Sequence, residues 1–170
     1  VIKDKCKSCS GEGIKKAKKS LDVDIPAGVD SGVKMRVSGE GNYGRMGGPA
    51  GDLYVYITVN DHQYFERQDN DVFVEVEVPV MYALLGSDID VPTLTGTANL
   101  KIPSGTQPNT TFRLKGKGIP SLRSGRKGDQ QVVVRIVIPK KLTKEEQALL
   151  SSFKKLRDTE KDQCRVVKQN

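Results

Sequence analysis

The chain has 170 residues, with 28 Lys+Arg against 21 Asp+Glu, a net charge of +7, 36% hydrophobic residues and no Trp. No apolar stretch approaches the roughly 20 residues that span a bilayer, so we expect no transmembrane helix and no membrane partner. Its apolar runs are periodic, which predicts that most of the chain folds. The first residues lack the order of a signal peptide and an initiator Met, which predicts that the chain begins inside a longer protein.

The positive charge is concentrated at the two ends of the chain. Residues 1–19 hold seven Lys against two acids, residues 140–170 hold nine Lys/Arg against five acids, and residues 20–139 hold twelve basic and fourteen acidic residues. A basic total indicates nucleic-acid binding only where the positive groups form one face. Two basic ends on a nearly neutral body are more typical of solvated tails, so we expect no nucleic-acid partner. The alternative is a zinc-dependent nucleic-acid-binding module that uses the basic N-terminal arm.

The first motif along the chain is CxxCxGxG, formed by residues 6–13. Thiolates at the spacing of Cys6 and Cys9 can bind one Zn²⁺ from a knuckle, and the following glycines permit the tight backbone path around the metal. A tetrahedral site needs four ligands, so the motif predicts a zinc half-site that requires further cysteines upstream. A redox dithiol is the alternative, although the βαβ context typical of such dithiols is missing.

The next segments alternate apolar and polar residues, which predicts strands over 21–25, 33–37 and 53–59. Residues 39–44 match the dinucleotide fingerprint GxGxxG. That fingerprint functions at a helix N-terminus, whereas here the segment continues into a predicted strand. We therefore interpret it as the loop of a β-hairpin.

The middle of the chain reads as a second set of strands. Four valines at alternate positions of 72–78 predict a strand with one buried face, which Pro79 ends because proline cannot donate to a ladder. Residues 81–85 before Gly86 predict one helical turn with a glycine stop. Further strands are predicted at 89–91, 98–102, 111–114 and 132–138. Strands separated by turn residues, with few helices, predict an all-β fold with minor α, built from two tandem β-sandwich-like domains.

An internal repeat with a constant offset of 77 residues supports this duplication. A Pro-Gly turn at 25–28 recurs at 102–105. A Gly-x-Gly loop at 36–41 recurs at 113–118, and a Gly-Asp pair at 51–52 recurs at 128–129. Residues 72–96 precede the second turn and have no counterpart before the first. We therefore expect the first domain to be incomplete in this chain.

The C-terminal segment changes to a helical pattern. Thr143 and Glu146 have the spacing of a capping box. Leu149, Phe153 and Leu156 belong to an apolar stripe at three-to-four spacing, which predicts an amphipathic helix. The resulting domain limits are 1–19 for the zinc region, 20–68 and 69–139 for the two β domains, 140–157 for the helix and 158–170 for a flexible tail. With His62 as the single histidine and no nucleophile motif, we expect no enzyme activity.

Taken together, these motifs resemble the C-terminal part of a DnaJ-family co-chaperone of the zinc-containing class. The resemblance covers about residues 5–157 and includes the CxxCxGxG motif, the turn at 25–28, Gly39-Glu-Gly41, residues 48–53, 62–67, 85–86 and 91–96, and Gly116-Lys-Gly118. It implies two β-rich domains, the first interrupted by the zinc region, followed by a helical segment that forms a homodimer, here through Leu149, Phe153 and Leu156.

The resemblance also implies a function and its residues. The domains would bind unfolded polypeptides and deliver them to a DnaK-type ATP-dependent chaperone, with an extended client adding to a sheet edge. The implied client-binding residues are Val55 in the first domain and, through the repeat, Val76, Val78, Ile89, Val91 and Val132 in the second. The implied cofactor is zinc, bound in part by Cys6 and Cys9, and the implied location is a bacterial-type cytoplasm, a mitochondrial matrix or a plastid stroma.

Overall fold

The structure is a computed structural model that describes residues 15, 17–44 and 48–157. Within these residues the chain forms strands with two helices, which confirms the predicted all-β class with minor α. The elements are β1 (Lys34–Val37), β2 (Leu53–Tyr56), β3 (Glu66–Gln68), β4 (Asp71–Pro79), α1 (Val80–Leu85), β5 (Ser87–Thr93), β6 (Gly96–Ile102), β7 (Thr111–Leu114), β8 (Gln130–Val137) and α2 (Lys144–Arg157).

The second domain is built on a four-stranded sheet in the order β3-β4-β8-β7. Strands β4 and β8 run parallel, from the pair Val72↔Gln130 to the pair Pro79↔Val137, and the outer pairs are antiparallel. The antiparallel hairpin β5–β6 forms a second layer over one face. The hydrophobic core lies between these two layers.

The alternation of β4 explains which face of the sheet is covered. Val72, Val74 and Val78 are buried, whereas Glu75 and Glu77 are exposed, as the period of two predicts. Pro79 is the last residue of β4, and α1 follows it directly. The predicted glycine stop is also confirmed, because Gly86 has a φ of 83° and its N–H donates to the carbonyl of Tyr82 at 2.9 Å.

The repeat in the sequence is a repeat in three dimensions. The hairpin β1–β2 pairs Lys34 with Tyr56, and β7–β8 pairs Thr111 with Val133, at the same offset of 77. The loops agree as well, since Asp52 Oδ1 accepts from the N–H of Gly39 at 3.1 Å and Asp129 Oδ1 accepts from the N–H of Gly116 at 2.8 Å. The GxGxxG segment lies in the loop between antiparallel β1 and β2, as predicted.

One predicted strand is absent. Residues 21–25 alternate in sequence, but they form no strand in the described part of the chain, and Ile25 is exposed. Their repeat counterpart is β6, which is held by its pairing with β5 along its whole length. Of the positions that correspond to β5, 10–16, the structure describes residue 15, and it forms no strand. A strand needs a partner for its backbone groups, so the same pattern stays irregular there.

The two domains meet at a junction centred on Arg67. Residue Arg67 lies in β3, a strand that the periodicity did not predict, and β3 pairs with β4 although it precedes the predicted domain limit at 68. Its guanidinium donates to the carbonyls of Val29 at 2.7 Å and Gly28 at 3.1 Å. Gly28 has a φ of 93°, and its Cα lies so close to Pro120 that a Cβ would be 1.9 Å from the Pro120 carbonyl oxygen.

Substitution of Gly28 tests this junction, and its repeat counterpart Gly105 is a matched control. Both glycines have a positive φ, but a Cβ on Gly105 would meet no atom within 4 Å. We expect Gly105→Ala to lower the free energy of unfolding by about 1 kcal/mol through backbone strain alone. Gly28→Ala should lower it by roughly 2–4 kcal/mol because the clash adds to that strain. Urea unfolding of both variants measures this difference, and equal losses would contradict the close approach.

Candidate functional site

Three of the predicted client-binding residues are core residues in this structure. Val78, Val91 and Val132 are at most 1% exposed and belong to one buried cluster between the four-stranded sheet and the β5–β6 hairpin. In this conformation they present no surface to another molecule. Their repeat-based assignment therefore stays a prediction that would require the two layers to separate.

The other three predicted client-binding residues are partly accessible. Val76 and Ile89 are half-buried and pack against the same core cluster, so the structure brings them near Val78 and Val91. Val55 lies apart from them in the first domain, on β2, where it is also half-buried. Its counterpart Val132 is fully buried because β8 has β4 beside it, whereas β2 has β1 as its only strand neighbour among the described residues.

A more accessible apolar surface lies on α1, and sequence reasoning did not assign it to binding. Only Ala83 of this helix is buried, whereas four large apolar side chains are 40–80% exposed. These residues, called the α1 surface below, are Met81, Tyr82, Leu84 and Leu85. The helix is held in place through Ala83, whose carbonyl accepts from the N–H groups of Gly105 at 2.8 Å and Thr106 at 3.1 Å. Several exposed large apolar side chains on one short helix make the α1 surface a candidate interaction site.

The signal for the α1 surface was present in the sequence. Residues 80–85 are all apolar, and a helix of six residues beside a sheet can bury only one side. Which side is buried depends on how Pro79 directs the chain out of β4, and that direction is a property of the tertiary structure.

A cleft of about 680 Å³ opens at the junction of the two domains. Its wall holds an aromatic group in which the ring centroid of His62 lies 5.9 Å from that of Tyr64 and 4.9 Å from that of Phe65. The Nδ1 atom of His62 accepts from the backbone N–H of Tyr64 at 3.1 Å, which orients the imidazole. Residues 62–67 are among those that carry the family resemblance in the sequence. That they line a cleft depends on the position of Arg67 in the structure.

The C-terminal helix α2 confirms the predicted capping box. The backbone N–H of Thr143 donates to Glu146 Oε2 at 2.7 Å, and the N–H of Glu146 donates to Thr143 Oγ1 at 3.2 Å. The stripe residues Leu149, Phe153 and Leu156 are 72%, 50% and 80% exposed. No residue of α2 is buried, so its apolar face is unpartnered within the described part of this chain.

The predicted zinc ligands Cys6 and Cys9 lie outside the described residues, and the half-site stays a prediction. Within residues 15, 17–44 and 48–157 no group of three or more His, Cys, Asp or Glu side chains is arranged to hold a metal ion. In the same part of the chain, no helix has the length and apolar character needed to cross a membrane.

Comparisons with known proteins agree with the resemblance found in the sequence. A family model described as the DnaJ C terminal domain matches residues 3–139. Chaperone protein DnaJ of Bacillus cereus (strain B4264) is 48% identical over 153 residues, which are 90% of this chain and 41% of the relative. Chaperone protein DnaJ of Parageobacillus thermoglucosidasius is 48% identical over 155 residues, or 91% of this chain and 41% of the relative. The chain thus spans about two fifths of the length of these relatives.

The capping box predicts a pH dependence of the α2 N-terminus. Hydrogen bonds from Thr143, chiefly from its backbone N–H, lower the pKa of the Glu146 carboxyl. The interaction is therefore complete above the ordinary pKa of glutamate and is lost as the pH falls through the lowered pKa. We expect the protection factor of the Thr143 amide, which compares its hydrogen exchange with the intrinsic rate at the same pH, to fall as the pH is lowered through that range. Glu146→Gln should remove this pH dependence of the protection factor, and Glu145→Gln should keep it. A Thr143 protection factor that stays constant across that range in the wild-type chain would contradict the capping box.

Proposed function

Because this chain belongs to the DnaJ family, by the match of its residues 3–139 and its 48% identity to bacterial relatives, we propose that it binds unfolded polypeptides as part of a co-chaperone. In the whole protein, these polypeptides would be delivered to a DnaK-type ATP-dependent chaperone, which assists their folding. The chain itself would bind and release without catalysing a reaction. Nothing in the comparisons supports the nucleic-acid alternative.

The observation that carries this proposal is the α1 surface. Unfolded chains differ from folded ones in exposing large apolar side chains, and burying one such side chain contributes about 1.5–3 kcal/mol. The α1 surface presents Met81 and three further large apolar groups without a partner in the described structure. Methionine adapts its shape to different ligands, which suits a surface that accepts many sequences. The half-buried Val76 and Ile89 lie in the core that α1 adjoins, and we propose that they contribute when a client is bound.

The experiment measures suppression of aggregation of an unfolded model protein by the chain and by two variants. Leu84→Gln combined with Leu85→Gln removes two apolar groups of the α1 surface. We expect this double variant to bind the client at least about tenfold more weakly, because burial of even one of the two leucines would contribute about 1.5 kcal/mol or more. Leu122→Gln is the control, because Leu122 is about as exposed as Leu84, 50% against 48%. It lies away from α1, in the loop between β7 and β8.

Two outcomes would contradict this proposal at different points. A folded wild-type chain that neither suppresses aggregation nor binds an unfolded protein would overturn polypeptide binding. Equal losses in the double variant and in Leu122→Gln would place the client somewhere other than on the α1 surface.

We further propose that the chain forms a homodimer through the exposed stripe of α2. An isolated helix of this length is marginal in water unless its apolar face packs against something. Phe153→Glu should therefore shift the chain from dimer to monomer in sedimentation equilibrium. Ser151→Glu, on the opposite side of the same helix, should leave the dimer intact. A wild-type chain that stays monomeric at all accessible concentrations would contradict dimer formation through this helix.

Zinc and location complete the proposal. We propose that Cys6 and Cys9 supply two of four zinc ligands, the others coming from cysteines outside this chain, because paired thiolates at CxxC spacing suit tetrahedral zinc. We propose a bacterial-type cytoplasm as the location because the relatives named above are bacterial. The organellar locations stay predictions.

A further inference from the structure

The cleft at the domain junction has a charge opposite to that of the chain. Four carboxylates line it, from Asp30, Asp61, Glu66 and Asp69, whereas Arg67 is the only Lys or Arg among its described lining residues. The chain as a whole carries +7. The positive excess lies at the two ends of the chain, whereas residues 20–139, which include the whole cleft, hold fourteen acidic and twelve basic residues. A concave surface of one sign concentrates ligands of the other sign, so this cleft attracts cations.

The guanidinium of Arg67, the one Arg among the described lining residues, is engaged by neighbouring groups of the chain. The guanidinium of Arg67 donates to three backbone carbonyls, those of Val29, Gly28 and Asp69, at 2.7–3.1 Å. It also lies 3.8 Å from a carboxylate oxygen of Asp30. Asp61 and Glu66 have no hydrogen-bond or ion-pair partner for their carboxylates among the described residues. These two carboxylates are therefore available to a ligand.

Aromatic and aliphatic groups accompany the carboxylates. Tyr64 is 62% exposed and lines the cleft with Phe65 and Leu94. A cation placed over a tyrosine face gains about 0.5–1 kcal/mol at an exposed site, in addition to any ion pair. The wall therefore suits a ligand that combines positive charge with an apolar side chain.

The cleft continues into a second groove of about 400 Å³ on the outer face of the sheet. Tyr64 and Glu66 line both spaces, and the second groove adds Phe73 and the carboxylate of Glu75. The two spaces thus share an aromatic and an acidic lining residue, and each has further groups of both kinds. Two adjoining spaces of this lining fit an extended chain segment better than a single ion.

We propose that this junction cleft binds client segments in which Lys or Arg flanks an aromatic or aliphatic residue. This inference rests on the proposed binding of unfolded polypeptides and adds a selectivity to it. Asp61 and Glu66 pair with the flanking cations, and Tyr64 and Phe65 contact the apolar residue. The selectivity is separate from the α1 surface, which carries no acidic side chain of its own.

Fluorescence anisotropy of labelled peptides with the full chain tests this proposal. The peptides share one Leu-Phe-Leu core, flanked by lysines, by glutamines or by glutamates, and a further peptide has the lysines without the apolar core. We expect the lysine-flanked core to bind at least about fivefold more tightly than the glutamine-flanked one, as several exposed ion pairs together would give. The difference should shrink as the ionic strength rises.

Two double variants with the same change in charge locate the effect. Asp61→Asn with Glu66→Gln removes the available carboxylates of the cleft, and we expect it to abolish the preference for lysine flanks. Glu77→Gln with Asp88→Asn removes two exposed carboxylates that do not line the cleft, and we expect it to keep the preference. Tyr64→Ala should weaken the lysine-flanked core while sparing the peptide that lacks an apolar core. Thermal unfolding of each variant confirms that it is folded.

The outcomes separate this inference from the proposed function. Suppressed aggregation with no preference among the flanks would overturn the junction cleft and leave polypeptide binding in place. Equal loss of preference in both double variants would show a diffuse charge effect and also overturn it. Tight binding of the lysine peptide without its core would overturn the aromatic part of the site. A chain that binds no peptide and no unfolded protein would overturn both proposals.

Discussion

The parallel pairing of β4 with β8 is the interaction on which the second domain depends. It joins the two strands over eight residue pairs and places β8 in the interior of a four-stranded sheet. Its start is secured by the Gly-Asp pair of the repeat, because the N–H of Asp129 donates to Asp71 Oδ1 at 2.7 Å. Gly128 is needed there, since a Cβ would be 2.1 Å from the carbonyl oxygen of Asn70. With both edges of β8 paired, Val132 and Val134 are fully buried.

The first domain shows what the same repeat becomes without that partner. Its hairpin β1–β2 keeps the register and loop hydrogen bonds of β7–β8, which are local to the hairpin. Beyond the hairpin the correspondence stops. A Cβ on Gly51 would make an ordinary contact with the carbonyl oxygen of Asn42 at 3.7 Å, whereas one on Gly128 would clash with Asn70. Residues 21–25 stay irregular where β6 is a strand. The hairpin geometry is thus the part of the repeat that local contacts determine, and the covered core requires the strands that precede the hairpin.

The junction between the domains gives the molecule a feature that neither repeat has alone. Arg67 ties β3 to the turn at Gly28, and the loop at Pro120 closes over that turn. The aromatic residues that precede β3, Tyr64 and Phe65, line the cleft at this junction together with its carboxylates. The acidic and aromatic residues of the cleft thus lie at the junction, whereas the α1 surface is apolar and shares no residue with the cleft. Under the two proposals above, one extended client would contact both surfaces.

The sequence by itself determined the duplication, the strand alternation of β4, the proline and glycine that bound α1, and the capping box of α2. Each of these depends on residues a few positions apart or on a constant offset, and backbone geometry acts at that range. Tertiary structure alone decided that Val78, Val91 and Val132 are core, that α1 exposes its leucines and that residues 62–67 line an acidic cleft. Residues become buried where strands that are distant in sequence pair with each other. Clefts form where the edge of a strand stays open. Val132 is therefore fully buried in the second copy of the repeat, whereas Val55, its counterpart in the first copy, is half-buried.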